Sequence, residues 1–121
     1  MSRVVLFVCP HGAAKSRVAA AFFARSAPPG WTATSAGLDP SPELSPTASR
    51  LLAGTEAEAL LDRALPRAVA DVVAPDRIVG IDCAPEGVTD RWDLRHREFD
   101  TGMRDELCTR AEALAAELAH G

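Results

Sequence analysis

The chain predicts an α/β fold: a four-stranded, mostly parallel sheet flanked by helices on both faces, forming a single domain over residues 1–121. Three stretches carry that expectation. Val4-Val5-Leu6-Phe7-Val8 is an uninterrupted apolar run, as in a strand buried on both faces. It leads through a small-residue loop into the Ala-rich segment Val18 to Phe23, and Trp31 to Ala36 follows with β-favouring alternation. Strand, helix and strand in this order make a right-handed βαβ unit. Near the far end, Met103, Leu107, Ala111, Leu114 and Leu118 recur at helical spacing and form an apolar stripe that needs a core to face.

Composition sets the bounds. A chain of 121 residues with 47% hydrophobic and 25% charged residues is long enough to bury a core without disulfides or metals. A net charge of −4 argues against general nucleic-acid binding. Three widely spaced cysteines make neither a disulfide framework nor a CxxC metal site, so no metal and no cofactor are expected. The first strand begins at once, with no signal peptide, and no apolar run approaches membrane-spanning length, so a reducing cytoplasm is the expected location.

The elements follow in order. Arg3 to Val8 is the first strand, and Ser16 is placed to cap a helix over Arg17 to Ser26. Ala27-Pro28-Pro29-Gly30 stops that helix, and Gly37 closes the second strand. Leu38 to Leu44 is a loop long enough to lie over a pocket. Ser45 and Pro46 open a helix that carries Ala48, Leu51 and Leu52 inward and ends near Gly54. A second helical piece is expected over Glu56 to Arg63, with Leu60 and Leu61 on one side. Pro66 stops it, and Arg67 to Val69 suits a short extended piece. Asp71 to Asp76 fits either a short helix or a loop. Arg77 to Asp82 reads as a strand ending at Cys83, and Val88 to Trp92 as a short final one.

The chemistry gathers at Cys9-Pro10-His11-Gly12-Ala13-Ala14-Lys15-Ser16. A thiol at the carboxyl end of a central strand, facing the start of a helix, sits where anions bind and thiolates are favoured. Lys15 suits contact with such an anion, whereas His11 suits either a backbone bond or a part in catalysis. Cys108, in the last helix, suits a structural role.

The pattern of strand, Cys, five residues, a cation and Ser resembles the phosphate-binding loop of the low-molecular-weight protein tyrosine phosphatases and of the related thioredoxin-coupled arsenate reductases. Ser35-Ala36-Gly37, Pro46-Thr47-Ala48, Asp76 to Asp82, Trp92-Asp93-Leu94 and Arg104-Asp105-Glu106-Leu107 extend the likeness over nearly the whole chain. The resemblance implies Cys9 as nucleophile, Ser16 as its hydrogen-bond partner and residues 10–15 as the oxyanion cradle. Gly12, where the family commonly has Asn, is free to take positive φ.

Three departures from the family pattern shape the expected activity. Lys15 replaces an Arg and lacks its planar fork. His96 stands where the family has its general-acid Asp, with Asp93 and Asp100 as further candidates and Arg95 and Arg97 as other sources of charge. The loop from Asp39 to Leu44 offers no aromatic wall, leaving Trp92 as the candidate surface for a phenyl ring. Cys83 stands about where the reductases place a resolving cysteine, while Thr89 and Asp90 occupy the positions of the next one.

The leading expectation is a weak phosphatase-type hydrolase acting through Cys9 on a phosphate-like or arsenate-like oxyanion, free or carried on a protein. The alternatives are an anion-binding pseudo-phosphatase and a thiol redox protein using Cys9 and Cys83.

Overall fold

The computed structural model describes residues 2–120. Four strands, β1 (Arg3–Cys9), β2 (Trp31–Gly37), β3 (Arg77–Ile81) and β4 (Asp90–Trp92), form one sheet in the order β2-β1-β3-β4. Every pairing is parallel. The α-helices are α1 (Lys15–Ser26), α2 (Pro46–Leu52) and α3 (Thr101–His120). Residues 5–9 of β1 are shielded on both sides, as the apolar run requires of a central parallel strand.

The two faces of the sheet are covered unequally. Val5, Phe7 and Cys9 point to the face that carries α1, α2 and α3, the main core. Leu6, Val8 and Ala36 point to the other face, where the cover is one 3₁₀ turn (Val69–Asp71) and its neighbours Val72, Ile78 and Cys83. Helix α1 is buried from Ser16 through Phe23, between the sheet and α3. Its alanines let those layers approach closely. Phe7 meets Phe23 and Trp92 at centroid distances of 5.8 and 5.6 Å.

Several expectations need correction. Ser16 does not cap α1, because the helix begins one residue earlier, at Lys15, and Ser16 is fully buried within its first turn. The helix expected over Glu56 to Arg63 is only a 3₁₀ turn, Glu58–Leu60. Leu60 remains 46% exposed, and without an apolar face to bury a short helix has little to hold it. Asp71 to Asp76 is mostly irregular, tied to β1 by the Val4 N–H to Asp76 Oδ2 at 2.7 Å. The expected cap at Ser45 is present, its hydroxyl accepting from the Thr47 N–H at 3.2 Å. None of the described helices is long and apolar enough to cross a membrane.

Candidate active site

The sheet order reverses direction at β1, and Cys9 ends that strand. Crevices at such switch points, beyond the carboxyl ends of parallel strands, are the ligand sites of open α/β sheets. The loop after Cys9 is laced to its surroundings by its carbonyls. Pro10 O accepts from the Asp39 N–H at 2.9 Å, His11 O from the Ser41 N–H at 3.0 Å, and Gly12 O from Arg17 Nε at 2.8 Å. These peptides are trans, so each N–H opposes the carbonyl before it. Tying three successive carbonyls outward therefore turns the N–H groups of His11, Gly12 and Ala13 to the inner side of the loop.

Gly12 makes the turn possible. Its φ is +66°, and a Cβ there would stand 2.7 Å from the Gly37 backbone nitrogen. The approach is mutual, since a Cβ on Gly37 would lie 2.5 Å from the His11 carbonyl carbon. Two glycines from separate stretches thus seat the loop on the end of β2.

A cavity of about 380 Å³ opens above the loop. Cys9, Pro10, His11, Ala13, Ala14 and Lys15 of the loop line it, together with Ser45, Thr47 and Phe99. The Cys9 thiol is buried and lies 3.1 Å from the Ser16 hydroxyl beneath it. The loop and Ser16 are thus brought together as the sequence suggests. His11 places Nδ1 3.2 Å from the Asp39 carbonyl, so a proton on Nδ1 donates there and leaves Nε2 unprotonated in the neutral ring.

Lys15 meets a partner the sequence reading did not single out. Its Nζ lies 2.7 Å from Asp82 Oδ2, with both side chains largely buried, and 5.7 Å from the Phe99 ring centroid. Asp82 follows β3 with φ +56° and also accepts from the Leu94 N–H at 2.9 Å and Arg97 Nη1 at 3.0 Å. Burial acts to raise the Asp82 carboxyl, but the bonds from Lys15, Leu94 and Arg97 outweigh it and hold the group below its ordinary value.

His96 does not join this cavity. Its Nδ1 lies 2.8 Å from Glu106 Oε1, and the ring lines a separate cavity with Arg95, Gly102 and Arg110. Glu106 also accepts from the backbone N–H groups of Arg95 and His96 and from Arg110. Its burial is overcome by those donors, and its carboxyl falls to about 2. The placing of a general acid at position 96 is therefore corrected: Arg95 and His96 are held on α3 by Glu106, away from the Cys9 cavity. The other candidates are occupied as well. Asp93 pairs with Arg91 at 3.3 Å, Asp100 caps α3 through the Met103 N–H, and Arg97 serves Asp82.

A further correction concerns the aromatic wall. Trp92 is buried against Phe7, and the ring at the cavity is Phe99, which no local pattern marked. Cys83 packs on the second face of the sheet, its thiol 3.4 Å from Val8 O, whereas Cys9 belongs to the first-face core. Both are free thiols, and burial pushes Cys83 above its ordinary value, with Cys9 adding to the rise. Among the described residues, no group of His, Cys, Asp and Glu could hold a metal ion.

Neither a protein-family model nor a curated protein sequence matches the chain. Solved structures do match over nearly its whole length. An arsenate reductase from Archaeoglobus fulgidus is 30% identical, with 97% of this chain and 99% of that one covered and a TM-score of 0.68. A low-molecular-weight protein tyrosine phosphatase from T. tengcongensis is 18% identical, covering 98% and 99% of the two chains with a TM-score of 0.67. An arsenate reductase in the phosphate-binding state is 20% identical, covering 95% and 98% with a TM-score of 0.71. The latter two share the fold. With 30% identity to the first over 97% of its length, the chain belongs to the superfamily of low-molecular-weight protein tyrosine phosphatases and arsenate reductases.

Proposed function

We propose that the protein is a slow phosphatase-type hydrolase that acts on phosphomonoesters through Cys9. The observation that carries this reading is the loop itself, with three carbonyls tied outward around a buried thiol 3.1 Å from Ser16 Oγ. In the thiolate form, Cys9 Sγ accepts a hydrogen bond from the Ser16 hydroxyl and attacks phosphorus. The bond from phosphorus to the ester oxygen breaks as the bond to sulfur forms, and the leaving oxygen takes a proton. Water then attacks the thiophosphate, releases inorganic phosphate and returns the thiolate. The inward N–H groups of His11, Gly12 and Ala13 stabilise the charge on the equatorial oxygens.

His11 is the ring at the cavity able to donate the proton when doubly protonated. Phe99 gives a flat leaving group one aromatic face. Turnover is slow because Lys15 cannot clamp two oxygens and is held by Asp82. Losing one well-aimed donor of this kind costs about 10²–10³ in rate.

A second reading, anion binding without turnover, is favoured by one observation: none of the side chains lining the cavity is a carboxylic acid. Phosphate release from an aryl phosphate by the wild type and by Cys9→Ser, with calorimetric titration of inorganic phosphate, separates the readings. Release that depends on Cys9 supports the hydrolase. Binding without release supports the second reading, and neither binding nor release refutes both.

A further inference from the structure

Among the described residues, the carbonyls of Pro10 and His11 are held by backbone N–H groups, and that of Gly12 by a side chain. That side chain is Arg17, one residue beyond Ser16, and it is 2% exposed. Its Nε donates to Gly12 O at 2.8 Å and its Nη1 to Asp62 O at 2.7 Å, while Nη2 has no partner among the described residues. No carboxylate pairs with Arg17 among the described residues, and the Asp62 carboxylate bonds Arg67 instead. A buried guanidinium held by two neutral carbonyls carries a large desolvation penalty, and an apolar side chain would fill the same space without it. Lys15, the cation inside the loop, is in contact with Asp82. Arg17 stands on the other side, lining a cavity of about 90 Å³ that is separate from the Cys9 cavity.

We propose that Arg17 is the positioning residue of the oxyanion loop. Its bond to Gly12 O fixes the peptide that turns the Ala13 N–H toward the cavity, and its charge, acting through the loop, favours a dianion beside Cys9. This inference rests on the reading of the loop as an oxyanion site. Burial pushes the Arg17 guanidinium below its ordinary value, with Asp62 and Cys9 acting the other way. Arginine starts so high that it keeps its charge. Arg17 does not contact the anion; it acts through the peptide.

The test titrates inorganic phosphate into the wild type, Arg17→Gln and Arg17→Lys by calorimetry, and follows the Ala13 amide and Arg17 Nε–H by NMR. Arg17→Gln should bind phosphate about tenfold to a hundredfold more weakly, the effect of one charge-assisted hydrogen bond. Arg17→Lys should recover part of that loss. In the wild type, the Ala13 amide and the Arg17 Nε–H should shift together and saturate at the same phosphate concentration. Unchanged affinity in Arg17→Gln, or no recovery in Arg17→Lys, overturns the assignment while leaving the oxyanion site standing. Should Arg17→Gln not fold, the wild-type spectra decide, and an Nε–H that stays still while the loop amides move overturns it. Failure of the wild type to bind phosphate overturns both.

Discussion

Lys15 donates to Asp82 at 2.7 Å, so the loop's own cation is held by a carboxylate of the same chain. An anion entering the cavity competes with that carboxylate for the ammonium. Asp82→Asn removes the competing charge and keeps an acceptor for the Leu94 N–H. Inorganic phosphate should then bind more tightly, by up to about tenfold, as expected for release of a part-buried ion pair. Calorimetric titration of the two proteins checks this, and a weaker or unchanged affinity would show that Asp82 does not oppose the anion.

The Gly12–Gly37 contact leaves no space for a methyl group. Gly37→Ala places a Cβ 2.5 Å from the His11 carbonyl carbon and 2.6 Å from the Gly12 nitrogen. Both neighbours are backbone, so the loop must shift. The cost expected for such overpacking is about 1–3 kcal/mol in denaturant unfolding, together with loss of phosphate binding. A variant with wild-type stability and affinity would mean that the loop is not seated on β2.

Glu106 couples Arg95 and His96 to α3, and its titration has a defined sign. Its carboxyl lies at about 2 in the folded protein against 4.5 ordinarily. Its contribution is therefore fully present above about pH 4.5 and is lost as pH falls toward and through about 2. Glu106→Gln should unfold more easily at neutral pH, by about 1–3 kcal/mol for bonds to a charged group. Its stability should also fall less steeply than that of the wild type over the acid range. Chemical unfolding at a series of pH values measures both, and parallel acid limbs would contradict the assignment.

His11 and His96 separate by location. His11 lines the Cys9 cavity, whereas His96 is bonded to Glu106 at a different one. His11→Asn should slow phosphate release by about 10²-fold or more, as loss of a general acid does, with little change in phosphate affinity. His96→Asn should leave the catalytic rate unchanged. Steady-state kinetics on an aryl phosphate compares them, and the reverse ranking would restore position 96 as the acid.

What the sequence made legible is mostly local. The apolar run of β1, the small-residue loop, the cap at Ser45 and the stripe of α3 are patterns a few residues long, and each is present where it was expected. The positive φ of Gly12 agrees with what the family resemblance implies, a glycine standing where the family commonly has Asn. The misses depend on distant parts of the chain. Lys15 and Asp82 are 67 positions apart, and nothing near Lys15 marks its partner. Arg17 carries no local mark in the sequence, since one of its two partners, Asp62 O, lies 45 positions away. His96 lies away from Cys9 because Glu106 gathers the Arg95 and His96 backbone onto α3, and Phe99 lines the Cys9 cavity in place of Trp92. The positive φ of a non-glycine residue at Asp82 is the one local signal that something special sits there, and it is visible only in the backbone.

The most direct test is mass spectrometry of the Cys9 peptide after rapid acid quench of the wild type mixed with an aryl phosphate. A single phosphoryl group on Cys9, absent from Cys9→Ser and decaying as phosphate is released, is the expected result. No adduct on Cys9, with phosphate released equally by both proteins, would contradict a Cys9 nucleophile.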